Sequence, residues 1–204
     1  METKEIVGLH FTDDHYIAIG KLVIAFQSLE GTITYGLAFL MRPKLNELTE
    51  ALGFTHRVLN ELSFANRLTL LSNYIETHPV THFVPPGIKY EKTMTDDIPG
   101  ILEKLRTGIK MAGEAEAKRN QFIHSYWITH PAGGPTGTVL RVKTRAKHNK
   151  TQGSAEYVTA GAINAIVDEM DRARELISTS SQELRFFLVA ASEHKETAPI
   201  LLAR

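Results

Sequence analysis

Apolar residues recur every three or four positions over most of the chain, which is the spacing of one face of an α-helix. The first such stretch follows Thr12, an N-cap residue type, and the acids Asp13 and Asp14. It runs toward Met41, and Pro43 ends it. Because apolar residues lie on more than one of its faces, we expect a central helix packed on several sides.

Two shorter helices are predicted next. Residues 45–52 form the first of them. The second begins at Asn60 or Ser63, carries apolar residues at helical spacing and ends before Pro79. Residues 78–97 contain several prolines and predict an irregular connection.

Two long helices are predicted in the second half of the chain. Asp96 or Asp97 caps the first, and Pro99 lies in its first turn, where the missing N–H costs nothing. Thr159 caps the other, whose apolar residues keep helical spacing as far as Leu188.

Between these two helices the period of the apolar residues changes to two. Residues 131–137 are rich in proline and glycine and predict a turn, and residues 138–147 alternate between the two faces of a strand. We therefore expect a β-hairpin within residues 127–158, inserted before the last long helix.

A chain of 204 residues with 43% hydrophobic residues can build a substantial core without cross-links. We expect an all-α fold in a single domain over residues 1–204, an up-and-down helical bundle with the hairpin inserted. Residues 195–204 contain Pro199 and no packing pattern, so we expect a loose tail there.

The composition also bears on the cellular compartment. The absence of cysteine excludes disulfides and thiolate sites and fits a reducing cytoplasm. The first residues lack the pattern of a secretory signal. The apolar run 22–41 is interrupted by Gln27, Ser28 and Glu30, so a buried helix explains it better than a membrane span. We expect a cytoplasmic protein without a membrane partner.

Charge restricts how this chain could bind nucleic acid. The 23 basic and 23 acidic residues cancel, so RNA binding would need a local basic patch. One face of the predicted hairpin supplies such a patch for phosphates. An edge strand protected from aggregation by its charges fits the same pattern, and both interpretations stay open. The residues of this face are Arg141, Lys143, Arg145 and Lys147.

The helix before the hairpin ends in a stretch that contains Arg119, Asn120 and His124. Asn120 and His124 stand four apart and share a helix face, whereas Arg119 and His124 diverge by about 140°. Arg119 must therefore reach round the helix, or the helix must loosen near His124. Phe122 and Ile123 are apolar, and we expect them to anchor this stretch in a core.

The form R-N-x-x-x-H of Arg119, Asn120 and His124 resembles the R-x(4-6)-H motif of the HEPN family of helical ribonucleases. The acidic, alanine-rich run 114–117 and the His-Ser-Tyr-Trp ending are similar to the flanks of many HEPN-like proteins. The resemblance implies a helical bundle over most of the chain, metal-independent activity without a cofactor, and a homodimer whose motif helices meet. The alternative is an Arg119 paired with Glu116, with His124 favoured by the helix dipole.

RNA can be cut without a metal when its own 2′-OH attacks the adjacent phosphorus and leaves a 2′,3′-cyclic phosphate and a 5′-OH. In this hypothesis Arg119 holds the non-bridging oxygens. His124 moves a proton to or from the 2′-OH or the leaving oxygen. Asn120 orients the histidine or the phosphate. We therefore expect an endoribonuclease, of a kind used as a toxin or in defence, that acts on RNA and has an antitoxin or other protein partner.

Two other classes of function compete with the ribonuclease. One is a catalytically silent HEPN-like module that binds a nucleotide or a protein partner, since fold does not fix function. The other is a structural bundle. A metal site is not expected: His78 and His82 stand four apart, but Pro79 disfavours a helix between them.

Overall fold

The structure, a computed structural model, describes part of the chain, namely residues 11–41, 53, 55–77, 97–128, 135, 137–147 and 150–197. The helix predicted at 45–52, the histidines His78 and His82, and residues 198–204 of the predicted tail lie outside these ranges.

The described part is mostly helical, with a small antiparallel sheet before the last helix. Its α-helices are α1 (Asp13–Met41), α2 (Phe64–Thr77), α3 (Ile98–Ile123) and α4 (Ala160–Thr197). Its strands are β1 (Tyr126–Ile128), β2 (Thr138–Lys147) and β3 (Lys150–Thr159). A short π-helical turn, Thr55–Leu59, precedes α2. The last helix reaches three residues into the region predicted as a tail.

Local side-chain chemistry sets the starts of α2 and α4, as predicted. The hydroxyl of Ser63 accepts the backbone N–H of Asn66 at 3.2 Å, and that of Thr159 accepts the N–H of Ala162 at 3.1 Å. Each bond satisfies a donor that the first turn of a helix leaves without an intrahelical partner. The two predicted caps at Ser63 and Thr159 are therefore confirmed.

The sheet is a three-stranded antiparallel meander in the order β1-β2-β3. The predicted antiparallel pairing before the last long helix is present, but the sheet has one strand more than the predicted hairpin. Strand β2 pairs with β3 along its whole length, from Thr138 opposite Thr159 to Lys147 opposite Lys150. The first half of β3 is polar and contains Gly153, so it carries no apolar alternation that would mark a strand.

The chain divides into two compact units. The first unit is Met1–Gln27 with Glu114–Met170, and it contains the sheet. The second unit is Ser28–Gly113 with Asp171–Arg204, and it contains α2. Each of the helices α1, α3 and α4 supplies a segment to both units, and the single domain stays a prediction.

Apolar side chains fill the inside of each unit. In the first unit Leu22 of α1, Val139 of β2 and Val158 of β3 are buried, together with apolar residues of α4. In the second unit a Cβ on Gly108 would lie 2.9 Å from the side chain of Ile177, so the glycine allows α3 and α4 to approach closely.

Among the described helices, α1 is long and apolar enough to cross a membrane by length and composition. Half of its most apolar window is buried inside the structure. The core helix of a soluble protein meets the same criteria.

Candidate functional site

The motif stretch lies at the carboxyl end of α3, in the first unit. The helix ends at Ile123, and His124 follows in a turn. The backbone N–H of His124 still donates to the carbonyl of Asn120 at 3.2 Å. The hydroxyl of Ser125 donates to the carbonyl of Gln121, one turn back. The helix therefore ends just before the histidine. Of the two expectations from the sequence, a helix that loosens near His124 or an Arg119 that reaches round it, the structure shows the first.

Arg119 is half-buried and held from two sides. Its Nη1 donates to Oδ1 of Asn120 at 2.9 Å, and its guanidinium carbon lies 4.4 Å from the centre of the Phe26 ring. A guanidinium over an aromatic face gains a cation–π attraction that grows when water is excluded. Arg119 therefore binds Asn120 and Phe26 in place of the alternative ion pair with Glu116.

The same guanidinium keeps donors without partners. Its Nε is buried and makes no hydrogen bond, and Nη2 makes none within the part of the chain that is described. A buried N–H without an acceptor is unfavourable. Arg119 is therefore a fixed cation that could still accept an anionic ligand.

His124 is exposed, and its ring makes no hydrogen bond to Arg119, Asn120 or any other residue of the described ranges. The structure therefore brings Arg119 and Asn120 together and leaves His124 free to meet another group.

Aromatic rings hold the turn that contains His124. The ring centres of Phe122 and Trp127, on either side of the turn, are 5.9 Å apart, and Phe11 lies 5.6 Å from Trp127. These separations are typical of favourable aromatic pairs. Phe122 anchors the stretch as predicted, whereas Ile123 is 39% exposed, so the expectation that it anchors in the core was wrong.

Arg141 does not lie on an exposed basic face. It is 6% exposed, its Nη2 pairs with Oε1 of Glu156 at 2.6 Å, and its guanidinium carbon lies 5.0 Å from the centre of the Phe122 ring. Glu156 stands directly opposite on β3, and cross-strand neighbours of opposite charge attract. Arg141 thus lies inside the protein and is not exposed on the predicted phosphate-binding face, and its Nε and Nη1 are buried without a hydrogen bond among the described residues.

The structure describes the other residues of that face to different extents. Lys143 is half-buried, and its Cα partner on β3 is Ser154. The backbones of Arg145 and Lys147 belong to β2, but their side chains lie outside the described part of the structure. Among the described side chains, Lys143 is thus the cation of this face with no ion pair.

His15 is a polar residue that sequence reasoning passed over. It is 1% exposed, and its Nε2 lies 3.3 Å from the carbonyl oxygen of Val158, which can only accept. Its Nδ1 lies 2.8 Å from the hydroxyl of Thr12, which donates to it in the neutral ring. His15 therefore links the start of α1 to β3. The sequence signal for this contact was the spacing of three residues between Thr12 and His15.

Phe26 and Glu156 were also missed as neighbours of the two arginines. Phe26 looked like any apolar residue of α1, and Glu156 is found only once the register of β2 and β3 is known. Within the described ranges no group of three or more histidine or acidic residues could hold a metal ion.

No family model, curated protein or solved structure matches this chain.

Proposed function

We propose that the chain is a metal-independent endoribonuclease of HEPN type that cleaves RNA by attack of the 2′-OH. The proposal rests on one observation: Arg119, held by Asn120 and Phe26 with donors to spare, precedes the exposed His124 at the end of one helix. The resemblance of R-N-x-x-x-H to the HEPN motif supports the same assignment.

In this mechanism Arg119 binds the non-bridging oxygens of the scissile phosphate. A guanidinium cannot lose its proton at physiological pH, and its fork fits two oxygens at once. Because Asn120 and Phe26 already fix the guanidinium of Arg119, little side-chain entropy is lost when it binds the phosphate. The fixed cation then stabilises the charge that develops in the transition state. This arrangement gives Asn120 a further role, which is to orient the arginine.

His124 moves the proton. An imidazole changes charge near neutral pH, so it can take a proton from the 2′-OH or give one to the leaving 5′-oxygen. The reaction needs both transfers, and one chain supplies one histidine in this stretch. We therefore propose a homodimer in which two motif helices form one cleft.

An apolar face on α1 supports this homodimer. In the first unit Tyr16 is 60% exposed, Ile17 54% and Ile24 64%, and Val23 adds to the same stretch. The spacing of these residues places them along one side of the helix. A second copy is the occupant that the chemistry requires. Ile24→Arg should therefore shift the protein from dimer to monomer in sedimentation analysis and abolish cleavage, and a dimer unchanged by Ile24→Arg would contradict this assignment.

The remaining parts of the proposal concern the fold and the partners. We propose that the helices form an up-and-down bundle, since α1, α3 and α4 each carry buried apolar residues at helical spacing. Lys143, with Arg145 and Lys147, would bind the RNA backbone. A toxin or defence role, an antitoxin or other protein partner and a cytoplasmic location belong to the same proposal.

The test is incubation of the purified protein with mixed RNAs in EDTA, followed by analysis of the product ends. We expect cleavage to 2′,3′-cyclic phosphate and 5′-OH ends, unaffected by EDTA. His124→Ala should abolish it, and Arg106→Ala, the same type of change earlier on α3, should leave it intact. Undiminished cleavage by His124→Ala would contradict the mechanism.

Asn120→Ala separates orientation from direct catalysis. Because Asn120 acts by holding Arg119, its loss should lower the rate less than the loss of His124. The cleavage rate should fall by about tenfold, which corresponds to the free energy of one typical hydrogen bond. If the wild-type protein cleaves no RNA, the alternative of a catalytically silent module that binds a nucleotide or a protein takes the place of the ribonuclease.

A further inference from the structure

A cleft lies between the later parts of α1 and α4, wholly within the second unit. Its volume is about 280 Å³, and hydroxyl, amide and aromatic side chains line it. They include Thr32, Tyr35, Phe39, Ser178, Ser181 and Gln182. No charged side chain of the described ranges belongs to this lining, so the cleft suits an uncharged ligand with hydrogen-bonding groups.

Ser181 is the polar group in this cleft that lacks a partner. It is 1% exposed, and its Oγ makes no hydrogen bond within the described part of the chain. A hydroxyl buried without a partner is unfavourable, so a ligand that bonds to it gains the whole interaction. Gly36 packs directly against Ser181, since a Cβ at position 36 would lie 2.9 Å from the same Oγ. Any larger residue at position 36 would fill the space beside the hydroxyl.

Aromatic rings form another part of the lining. Tyr35 and Phe39 are one helical turn apart on α1, with their ring centres 6.4 Å apart and their planes inclined by 30°. The guanidinium carbon of Arg185 lies 4.5 Å from the centre of the Phe39 ring. Arg185 covers one face of the Phe39 ring, so a flat heterocycle would stack on the ring surface that Tyr35 and Phe39 leave toward the cleft.

A second, more polar cleft of about 390 Å³ adjoins the first, because Thr32 and Ser178 line both. Two arginines and two acids line it, so its charges balance. Asp171 and Arg174 already form an ion pair at 3.3 Å, whereas Glu175 can accept hydrogen bonds from hydroxyl groups. A polyhydroxylated group fits this balance better than a strong anion.

We propose that the two clefts together bind a nucleoside-type ligand, a planar heterocycle that carries a sugar. The ring stacks on Tyr35 and Phe39, and its polar edge bonds to Ser181. The sugar hydroxyls reach the acidic and hydroxyl groups of the second cleft. All these residues belong to the second unit, so the site is separate from the one that contains Arg119 and His124.

Titration of the ¹⁵N-labelled protein with adenosine, guanosine, cytidine and uridine in turn, followed by NMR, tests this site. At least one of these nucleosides should cause saturable changes in the chemical shifts of residues that line the cleft. Ser181→Ala should weaken that binding by about three- to tenfold, the value of a neutral hydrogen bond. Ser180→Ala is the matched control: Ser180 is equally buried and also lacks a partner among the described residues, but it does not line the cleft.

The nucleoside site is overturned if none of the four nucleosides saturates the protein at millimolar concentration. Equal losses of affinity in Ser181→Ala and Ser180→Ala would also overturn it, and so would free nucleobases that bind as tightly as nucleosides. Binding that survives in His124→Ala would support a site independent of the proposed cleavage. These results bear on the nucleoside site even if the protein cleaves no RNA.

Discussion

Two arginines, Arg67 in the second unit and Arg119 in the first, differ in how completely the protein pairs them. Arg67 is 7% exposed. Its Nε donates to the carbonyl of Leu62 at 3.0 Å, its Nη1 to the hydroxyl of Thr34 at 2.7 Å, and its Nη2 to Glu30 at 2.8 Å. Within the described ranges Arg119 has one hydrogen-bond partner, the side chain of Asn120.

The difference indicates a difference in role. A buried cation with a partner on every nitrogen has its bonding capacity used within the fold, and its removal leaves Glu30 and Thr34 without their donors. A cation held by one amide and one ring keeps donors for another molecule. Arg67 is thus a structural residue that joins α1 and α2, whereas Arg119 has the properties of a ligand-binding residue.

The largest expected loss of stability follows from Arg67→Ala. Because the change leaves a carboxylate and a hydroxyl without their donors, the free energy of unfolding should fall by about 3 kcal/mol. Urea denaturation measures this loss. Arg67→Lys keeps the charge but has its donors on one nitrogen instead of three, so its loss of stability should lie between those of the wild type and Arg67→Ala. A loss below that of Arg119→Ala would contradict the comparison.

A smaller loss is expected from Glu156→Gln. The change leaves the buried Arg141 without its counter-charge, but Glu156 itself is half-exposed and water can replace it in part. The free energy of unfolding should fall by about 1 kcal/mol. Glu114→Gln, at a more peripheral acid of the same unit, serves as the control and should change little. Equal effects of the two changes would contradict a structural role for Arg141.

A pH-dependent effect concerns Tyr74, whose hydroxyl donates to the carbonyl of Leu40 at 2.8 Å. Burial raises the pKa of Tyr74 to about 12, whereas its unfolded value is about 10. The folded state therefore holds this proton more tightly, so its contribution is complete below about pH 10 and is lost as the pH rises toward 12.

Tyr74→Phe tests this pH dependence. At neutral pH the variant should be less stable than the wild type by about 1 kcal/mol, because it lacks the hydrogen bond. Above about pH 10 that difference should shrink, since the wild type alone loses the contribution of this proton. A difference that stays constant from about pH 8 to about pH 12, measured by urea denaturation, would contradict the assigned shift.

The helices could be predicted because their signals are local. Ser63 and Thr159 act on N–H groups three residues away, and the apolar spacing of α1 and α3 records which face is buried. The three-stranded sheet could be predicted only in part. The polar first half of β3 becomes a strand because β2 pairs with it, which is an interaction between distant residues.

At the candidate site, too, contacts between residues distant in sequence could not be predicted. The sequence identified Arg119, Asn120 and His124 by their spacing, but not Phe26 beneath the arginine. It assigned Arg141 to a basic face because the alternation of β2 does not reveal that Glu156 and Phe122 enclose it. The hydroxyl of Ser181 was likewise hidden, since its burial depends on the packing of α4 against α1.

The most direct test of the central claim, that Arg119 serves RNA and not the fold, measures two quantities on one variant. For Arg119→Ala we predict a loss of about 1 kcal/mol or less in the free energy of unfolding. The single-turnover rate of RNA cleavage should fall by at least about a hundredfold, as for the loss of a group that stabilises charge in a transition state. A cleavage rate within about threefold of the wild type, at unchanged stability, would contradict the claim.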